Sequence, residues 1–355
     1  MNNRLSEEIS LLRRRLLRWY SLHQRTLPWR SHPTPYRVWV SEIMLQQTQV
    51  ATVIEYFNRF LKQFPNVQSL ANADEATVMR AWEGLGYYRR ARQLHAAAKQ
   101  IFRDHEGDFP QEFADILKLP GIGRYTAGAI ASIAFQQQRP IVEGNTIRLY
   151  SRLLDWHDDI QSRKSQERFW ELAESIVKGA RKPGDVNQAL MEVGNRVCRV
   201  ANPDCNGCPL RQHCGAFQAE TQALLPIKTA KVNYEAVREI AIVVRKQTSI
   251  LLRECKKGER WAGLWDFPRY AHESANEISE MEQRIRSDFG VSSALSWTEL
   301  KMKHAVTKFR IELSVMAGQY HRGRLKGNSG IWVPIAELHD YPLSVTGRKI
   351  ADSLV

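Results

Sequence analysis

Two carboxylates and four thiols have the types and surroundings that could do chemistry. Glu143 lies in PIVEGNTIRLYSRLL, residues 140–154. Three apolar residues lead into it, and Gly144 and Asn145 turn the chain. A helical repeat of apolar side chains follows at Ile147, Leu149, Tyr150, Leu153 and Leu154. A carboxylate at that place caps a helix, accepting backbone N–H bonds and complementing the dipole; the sequence leaves open whether it also does chemistry. Glu42 lies in VWVSEIMLQQT, residues 38–48, with Val40, Ile43 and Leu45 nearby. Burial there raises a carboxyl pKa and holds the group protonated, as a general acid requires. The plainer reading is a glutamate in the first turn of a helix after Ser41. Cys198, Cys205, Cys208 and Cys214 are spaced C-x6-C-x2-C-x5-C. Two thiolates separated by two residues can face one metal, and four close a site, so structural zinc and a [4Fe–4S] cluster both fit. Cys255 stands alone in an expected strand and reads as packing.

These side chains need a frame. Residues 1 to about 220 read as almost all helix, with periodic apolar segments separated by short punctuation such as FPN at 64–66 and KPGD at 182–185. Near the start, Ile9, Leu12, Leu16 and Tyr20 share one helical face, and the acids and arginines between them argue against a signal peptide. LPGIGR, residues 119–124, sits at a helix-to-helix turn. Gly121 and Gly123 let the chain turn tightly and aim N–H groups outward. The next helix, opening at Arg124, points its positive end the same way, so an anion fits there. After Leu225-Pro226 the texture changes. A hairpin is expected in 234–255, strands in 309–320 and 330–338, and a helix over 279–290 closed by Gly290. The expected domains are therefore a helical one at 1–220, a linker at 221–236 and an α+β one at 237–355. A hydrophobic share of 43% supports ordinary cores, and a net charge of +13 favours a polyanionic partner, most simply nucleic acid. No apolar run approaches the ~20 residues that span a bilayer, so no membrane partner and a cytoplasmic location are expected.

The cysteine spacing and LPGIGR, set in and after a helical domain, resemble the cluster loop and helix–hairpin–helix motif of the endonuclease III superfamily of DNA glycosylases. The resemblance implies a multidomain fold: an all-α helix–hairpin–helix domain with an iron–sulfur loop, then a smaller α+β Nudix-like domain. It implies one [4Fe–4S] cluster on the four cysteines, and phosphate contact through Gly121, Gly123 and Arg124. Arg196, Arg199 and Arg211 around the cluster loop would suit phosphate too. Bifunctional members carry a Schiff-base lysine just after the glycine loop; this chain has Tyr125, which points to the monofunctional branch, the adenine DNA glycosylases. LPWR (27–30) and WVSEIMLQQTQV (39–50) resemble that family's adenine-pocket segments, WEGLGYYRRARQL (82–94) its strand-intercalating segment, and WAGLWDFP (261–268) its Nudix-like domain. NQALMEVG, 187–194, precedes the cluster as it does there.

That resemblance implies a monomer acting on double-stranded DNA that contains adenine mispaired with 8-oxoguanine or guanine. Adenine leaves deoxyribose poorly as an anion, so it needs a protonated acid at the base and a carboxylate at the sugar, with the base out of the duplex. By the resemblance Glu42 protonates adenine N7 and Glu143 faces the sugar. Arg25, Trp29 and Leu45 enclose the base with Gln188 at its edge, and Gln47 and Tyr87 wedge into the duplex. Tyr88 shares the same glycine-rich setting. The family has aspartate where Glu143 stands, and glutamate is longer by about 1.5 Å. In the second domain the metal-binding pattern of Nudix hydrolases is largely lost: Gln283, Arg284, Ser287 and Asp288 precede Gly290, so recognition rather than nucleotide hydrolysis is expected. The family's Phe-Ser-His lesion-sensing tip is replaced by Val306, Thr307 and Lys308. A weakly catalytic mismatch-binding protein and a glycosylase of altered base preference are the rival readings.

Overall fold

The computed structural model describes residues 3–229, 233–256, 258–272, 277–306 and 308–354; Thr307 lies outside these. The chain packs as two units. One comprises Met1–Ala73 and Arg92–Lys231, the other Asp74–Ala91 and Val232–Val355. Residues 74–91 thus sit inside the helical stretch of sequence yet pack with the C-terminal unit.

The first unit is helical. Its opening helix, Asn3–His23, turns Leu12, Leu16 and Tyr20 inward, as their period predicts. They join Leu149, Tyr150, Phe169 and Leu190 in one core, which Leu210 of the cysteine loop also enters. Four helices carry the site: Pro35–Leu45, Arg124–Ile133, Gly144–Leu153 and Pro183–Glu192. The last runs on into a π-helical turn, Val193–Val197, a geometry that recurs at functional sites. Gly128 decides how two of these segments meet. A Cβ there would lie 2.3 Å from the carbonyl oxygen of Pro140, so glycine lets the extended run into Glu143 lie directly on the Arg124–Ile133 helix.

In the second unit β1 (Glu235–Lys246) and β2 (Ser249–Glu254) form the expected hairpin. β5 (Val291–Val306) and β6 (Phe309–Gly323) form a longer one, with β6 parallel to β1. Short strands β3 (Trp265–Asp266) and β4 (Arg269–Ala271) flank β2 and β1, and β7 (Ile331–Pro334) pairs with β2. The apolar run of β1 is continuous because both faces of the sheet are covered. Ile240, Ile242 and Val244 pack with Met281 and Ile285 of the Glu277–Phe289 helix. Ala241 and Val243 pack with Ile350 and Ala351 of the Val345–Asp352 helix. Gly290, at φ +76°, ends the first of these helices as expected. The expected strand at 330–338 is shorter: it stops at Pro334, which has no N–H for the ladder, and Ile335–Asp340 winds into a 3-10 helix. β5 escaped the sequence reading because a bulge between Trp297 and Lys301 breaks its alternation.

Candidate functional site

Glu42, Tyr125 and Glu143 line one pocket of the helical unit, with Arg25, Trp29, Leu45 and Gln188. The pocket holds about 170 Å³, close to six water-sized volumes of about 30 Å³ each. That is the scale of one heterocyclic base.

The Pro35–Leu45 helix begins at Pro35 and is capped by Thr34, whose side chain accepts from the Arg37 N–H. Glu42 therefore stands about two turns inside the helix, and the first-turn reading is wrong: the Ser41 hydroxyl donates to the Val38 carbonyl instead of capping. Glu42 is buried, 4% exposed. Burial pushes its carboxyl up to about 7, against the opposing hydrogen bond from Tyr125, whose hydroxyl donates to Glu42 Oε2 at 2.5 Å. Nearby Glu143 raises it further and Arg30 lowers it. Burial and both carboxyls hold the Tyr125 phenol well above its ordinary value, so it stays a donor.

Glu143 caps the Gly144–Leu153 helix, as the plain reading had it. Its Oε2 accepts from Asn145 N–H at 2.9 Å and its Oε1 from Thr146 N–H at 3.0 Å, while its own N–H donates to the Thr146 hydroxyl at 2.8 Å. The same carboxyl lines the pocket. Burial raises its pKa, and the two N–H groups and Arg148 oppose that. Arg148 then ties this helix start to the cysteine loop. It donates to Asn145 Oδ1 at 3.0 Å, to the Gly194 carbonyl at 2.5 Å and to the Cys198 carbonyl at 2.7 Å.

A third carboxylate pairs with two of the arginines that line the pocket. Glu192 is fully buried, and its Oε1 accepts from Arg25 Nε at 2.9 Å and Arg30 Nη1 at 2.7 Å. Burial alone would raise its pKa, but the two guanidinium groups hold it below the usual range. Trp29 is buried edge-on against Phe57. Arg30, of the expected pocket segment 27–30, also lines the pocket, as do Asn145, Met191 and Asn195, which sequence reasoning missed. A signal existed: Gln188, Met191, Glu192 and Asn195 recur at i, i+3, i+4 and i+7.

The glycine loop leads straight into this pocket. Gly121 has φ +75°, and a Cβ on it would come within 2.7 Å of Gln93 Cβ. Gly123 caps the Arg124–Ile133 helix, whose second residue is Tyr125. Arg124 is exposed and its guanidinium lies 3.8 Å from the Trp170 ring centre. Gln47 lies outside the pocket lining, exposed, at φ +57°. In the other unit Tyr87 is 46% exposed at φ +47°, whereas Tyr88 is buried.

Cys198, Cys205, Cys208 and Cys214 line a single cavity and are free thiols. Among the described residues no three His, Cys, Asp or Glu side chains converge to hold one metal ion. Arg152, fully buried, donates to Cys198 Sγ at 3.3 Å, a cation beside a sulfur that must be a thiolate to bind metal. The residues present suit an anionic cluster. Of the basic residues nearby, Arg196 and Arg199 are exposed, and Arg211 lies over Phe217.

In the second unit Val306 ends β5 and Lys308 Nζ pairs with Glu235 Oε1 at 2.6 Å. On the Glu277–Phe289 helix, Asp288 accepts from the Tyr270 hydroxyl and Glu282 from the Leu295 N–H. Arg284 pairs with Glu280.

Residues 40–175 match the HhH-GPD superfamily of base excision DNA repair proteins, and residues 240–353 match the NUDIX domain. A structure of a thermostable thymine-DNA glycosylase, 25% identical, covers 60% of this chain and 98% of its own at a TM-score of 0.55. A trapped endonuclease III–DNA covalent intermediate, 19% identical over 61% of this chain and 98% of its own at a TM-score of 0.50, shares the fold. Fold and site thus define a helix–hairpin–helix DNA glycosylase of base excision repair, with DNA as its partner. Adenine DNA glycosylase of Buchnera aphidicola (Schizaphis graminum) is 32% identical over 95% of this chain and 96% of its own length. That of Rattus norvegicus is 41% identical over 74% of this chain, which spans about half (52%) of the rat protein. The chain belongs to the adenine DNA glycosylase family. Among the described residues, no helix is long and apolar enough to cross a membrane.

The Tyr125 hydrogen bond favours the ionised form of Glu42. Tyr125→Phe should therefore move the Glu42 carboxyl pKa upward, as read by carbon-13 NMR of side-chain-labelled protein. A downward shift would mean that the phenol is not the donor.

Proposed function

We propose that this DNA glycosylase excises adenine mispaired with 8-oxoguanine or guanine, hydrolysing its N-glycosidic bond and leaving the strand intact. The observation that carries the proposal is a pair of unlike carboxyls in one base-sized pocket. Glu42, raised to about 7 by burial, is the acid that gives its proton to adenine N7. Glu143, whose pKa burial also raises but whose charge two backbone N–H groups and Arg148 favour, is the carboxylate that offsets the oxocarbenium ion. Glu42 is met by one phenol and Glu143 by two backbone N–H groups at a helix start, and that difference in donors assigns acid and anion. The bonds of Glu143 to Asn145 and Thr146 turn its oxygens back onto their own helix, which takes up the added reach of glutamate.

Arg25, Trp29 and Leu45 enclose the base and Gln188 meets its edge. Glu192 aligns Arg25 and Arg30 beside it. Gln47 and Tyr87, exposed on left-handed backbone, enter the duplex. Gly121, Gly123 and Arg124 grip the backbone without reading sequence. Among the described residues no lysine lines the pocket, so no amine forms a Schiff base. In the second unit Val306, Thr307 and Lys308 stand where the family's tip meets the lesion. Valine lacks the aromatic wedge and lysine lacks histidine's geometry, so preference for 8-oxoguanine is weaker than a Phe-Ser-His tip would give. The protein acts as a monomer in the cytoplasm, at the nucleoid.

The four cysteines hold one [4Fe–4S] cluster. The C-x6-C-x2-C-x5-C spacing, the shared cavity and the buried Arg152 beside Cys198 support this reading, and the four side chains would supply the thiolates. When bound, the cluster ties loop 198–214 together, since ligation and local folding are coupled.

Glu143→Gln keeps size and removes charge. Single-turnover adenine release should fall by roughly 10²–10⁴ while duplex binding persists, since a preorganised charge is worth a few kcal/mol of barrier. Release at the parent rate would leave Glu143 a helix cap only. Purified protein should be yellow-brown and contain about four irons and four sulfides per chain. Colourless protein with one zinc per chain would refute the cluster.

A further inference from the structure

The exposed ring of Tyr87 is held by devices that lie wholly within the C-terminal unit. The Glu75–Trp82 helix ends in a turn where Gly84, Gly86 and Tyr87 have φ of +95°, +70° and +47°. Left-handed backbone is uncommon for a side chain as bulky as tyrosine, and it persists only where the surroundings over-determine it. Here they do. The Arg90 guanidinium lies 5.5 Å from the Trp82 ring centre and 5.3 Å from that of Tyr87. It also donates to the Leu85 and Gly86 carbonyls, and Trp82 Nε1 donates to Gly86 as well.

A second set of bonds reaches this turn from the far end of the sequence. Arg348, on the Val345–Asp352 helix, donates through Nε to Glu83 Oε1 at 2.6 Å and through Nη2 to Oε2 at 3.2 Å. The same guanidinium donates to the Leu338 and Tyr341 carbonyls. Tyr88, next to Tyr87, donates its hydroxyl to the Leu343 carbonyl. The Glu83 and Arg348 side chains are 17% and 24% exposed. A bidentate pair so shielded, with its arginine also bonded to two carbonyls, resists rotation in a way that exposed single contacts such as Arg80–Asp340 do not.

We propose that the Arg348–Glu83 pair is a positioning device that fixes Tyr87 for stacking inside the DNA duplex, so that the wedge and the β5–β6 hairpin are parts of one rigid recognition unit. The proposal rests on the reading of this chain as a glycosylase that opens duplex DNA. An exposed aromatic ring in a strongly basic chain is suited to stack on bases. Fixing it beforehand lowers the ordering cost at binding. Arg348 acts through Tyr87, without touching DNA.

The test uses four full-length proteins: the parent, Arg348→Gln, Tyr87→Ala and the double variant. Each is titrated with a duplex bearing one adenine·8-oxoguanine mispair and read by fluorescence anisotropy. Arg348→Gln should weaken binding about tenfold when Tyr87 is present, the scale of one lost stacking contact. In the Tyr87→Ala background the same change should cost less than about twofold. Equal losses in both backgrounds would make the pair merely structural and overturn the proposal, as would no loss in either. If Arg348→Gln lowers the urea midpoint, Glu83→Gln, which leaves the Arg348 helix unaltered, should give the same pattern, and equal losses there overturn the proposal too. A parent that binds but releases no adenine contradicts the excision reading and leaves this cycle intact; a parent that does not bind overturns both.

Discussion

A carboxyl group taken out of water must either find a partner for its charge or keep its proton. Glu42 is buried in a helix wall beside a phenol, with a second carboxyl lining the same pocket, and keeping the proton is the cheaper course up to a pH of about 7. The rest of the site follows from that constraint. An acid protonated near neutral pH is useful only if a base can reach it, and the pocket is sized for one base. It is useful for glycosidic cleavage only if an opposite charge stands where the cation forms, the role proposed for Glu143, which lines the same pocket and is held by the N-terminus of its own helix.

Cap and catalyst are not competing descriptions of Glu143. The N–H groups that a helix start must satisfy are the same groups that favour an ionised carboxylate. The position of that helix start depends on small residues and buried cations: Gly128 admits the chain leading into it, and Arg148 joins Asn145 to the cysteine loop. A ligated loop would therefore brace the active carboxylate from behind, at no point touching the base.

Much of this was legible in the sequence, for physical reasons that differ by element. The opening helix and the β1–β2 hairpin were legible because apolar period reports burial directly. The glycine loop was legible because L-P-G-x-G-R has few uses other than a tight turn. Glu42 was placed on the right helix but given the wrong start, because Ser41 resembles a cap and Thr34-Pro35 had been passed over. Glu192 and its pairing with Arg25 and Arg30 were missed because a buried ion pair joins residues more than 160 positions apart, and no local pattern announces it. The attachment of residues 74–91 to the C-terminal unit was missed for the same reason. Tyr88 read like its neighbour Tyr87, yet only the fold separates a buried ring from an exposed one.

The central claim is that Glu42 works as a protonated acid, and the pH dependence of single-turnover adenine release tests it most directly. Glu42 must carry its proton to act, and raising the pH through its folded pKa removes that proton. The account predicts a rate that falls by about tenfold per pH unit once the pH passes about 7. A rate that stays level far into the alkaline range, or rises there, would contradict it.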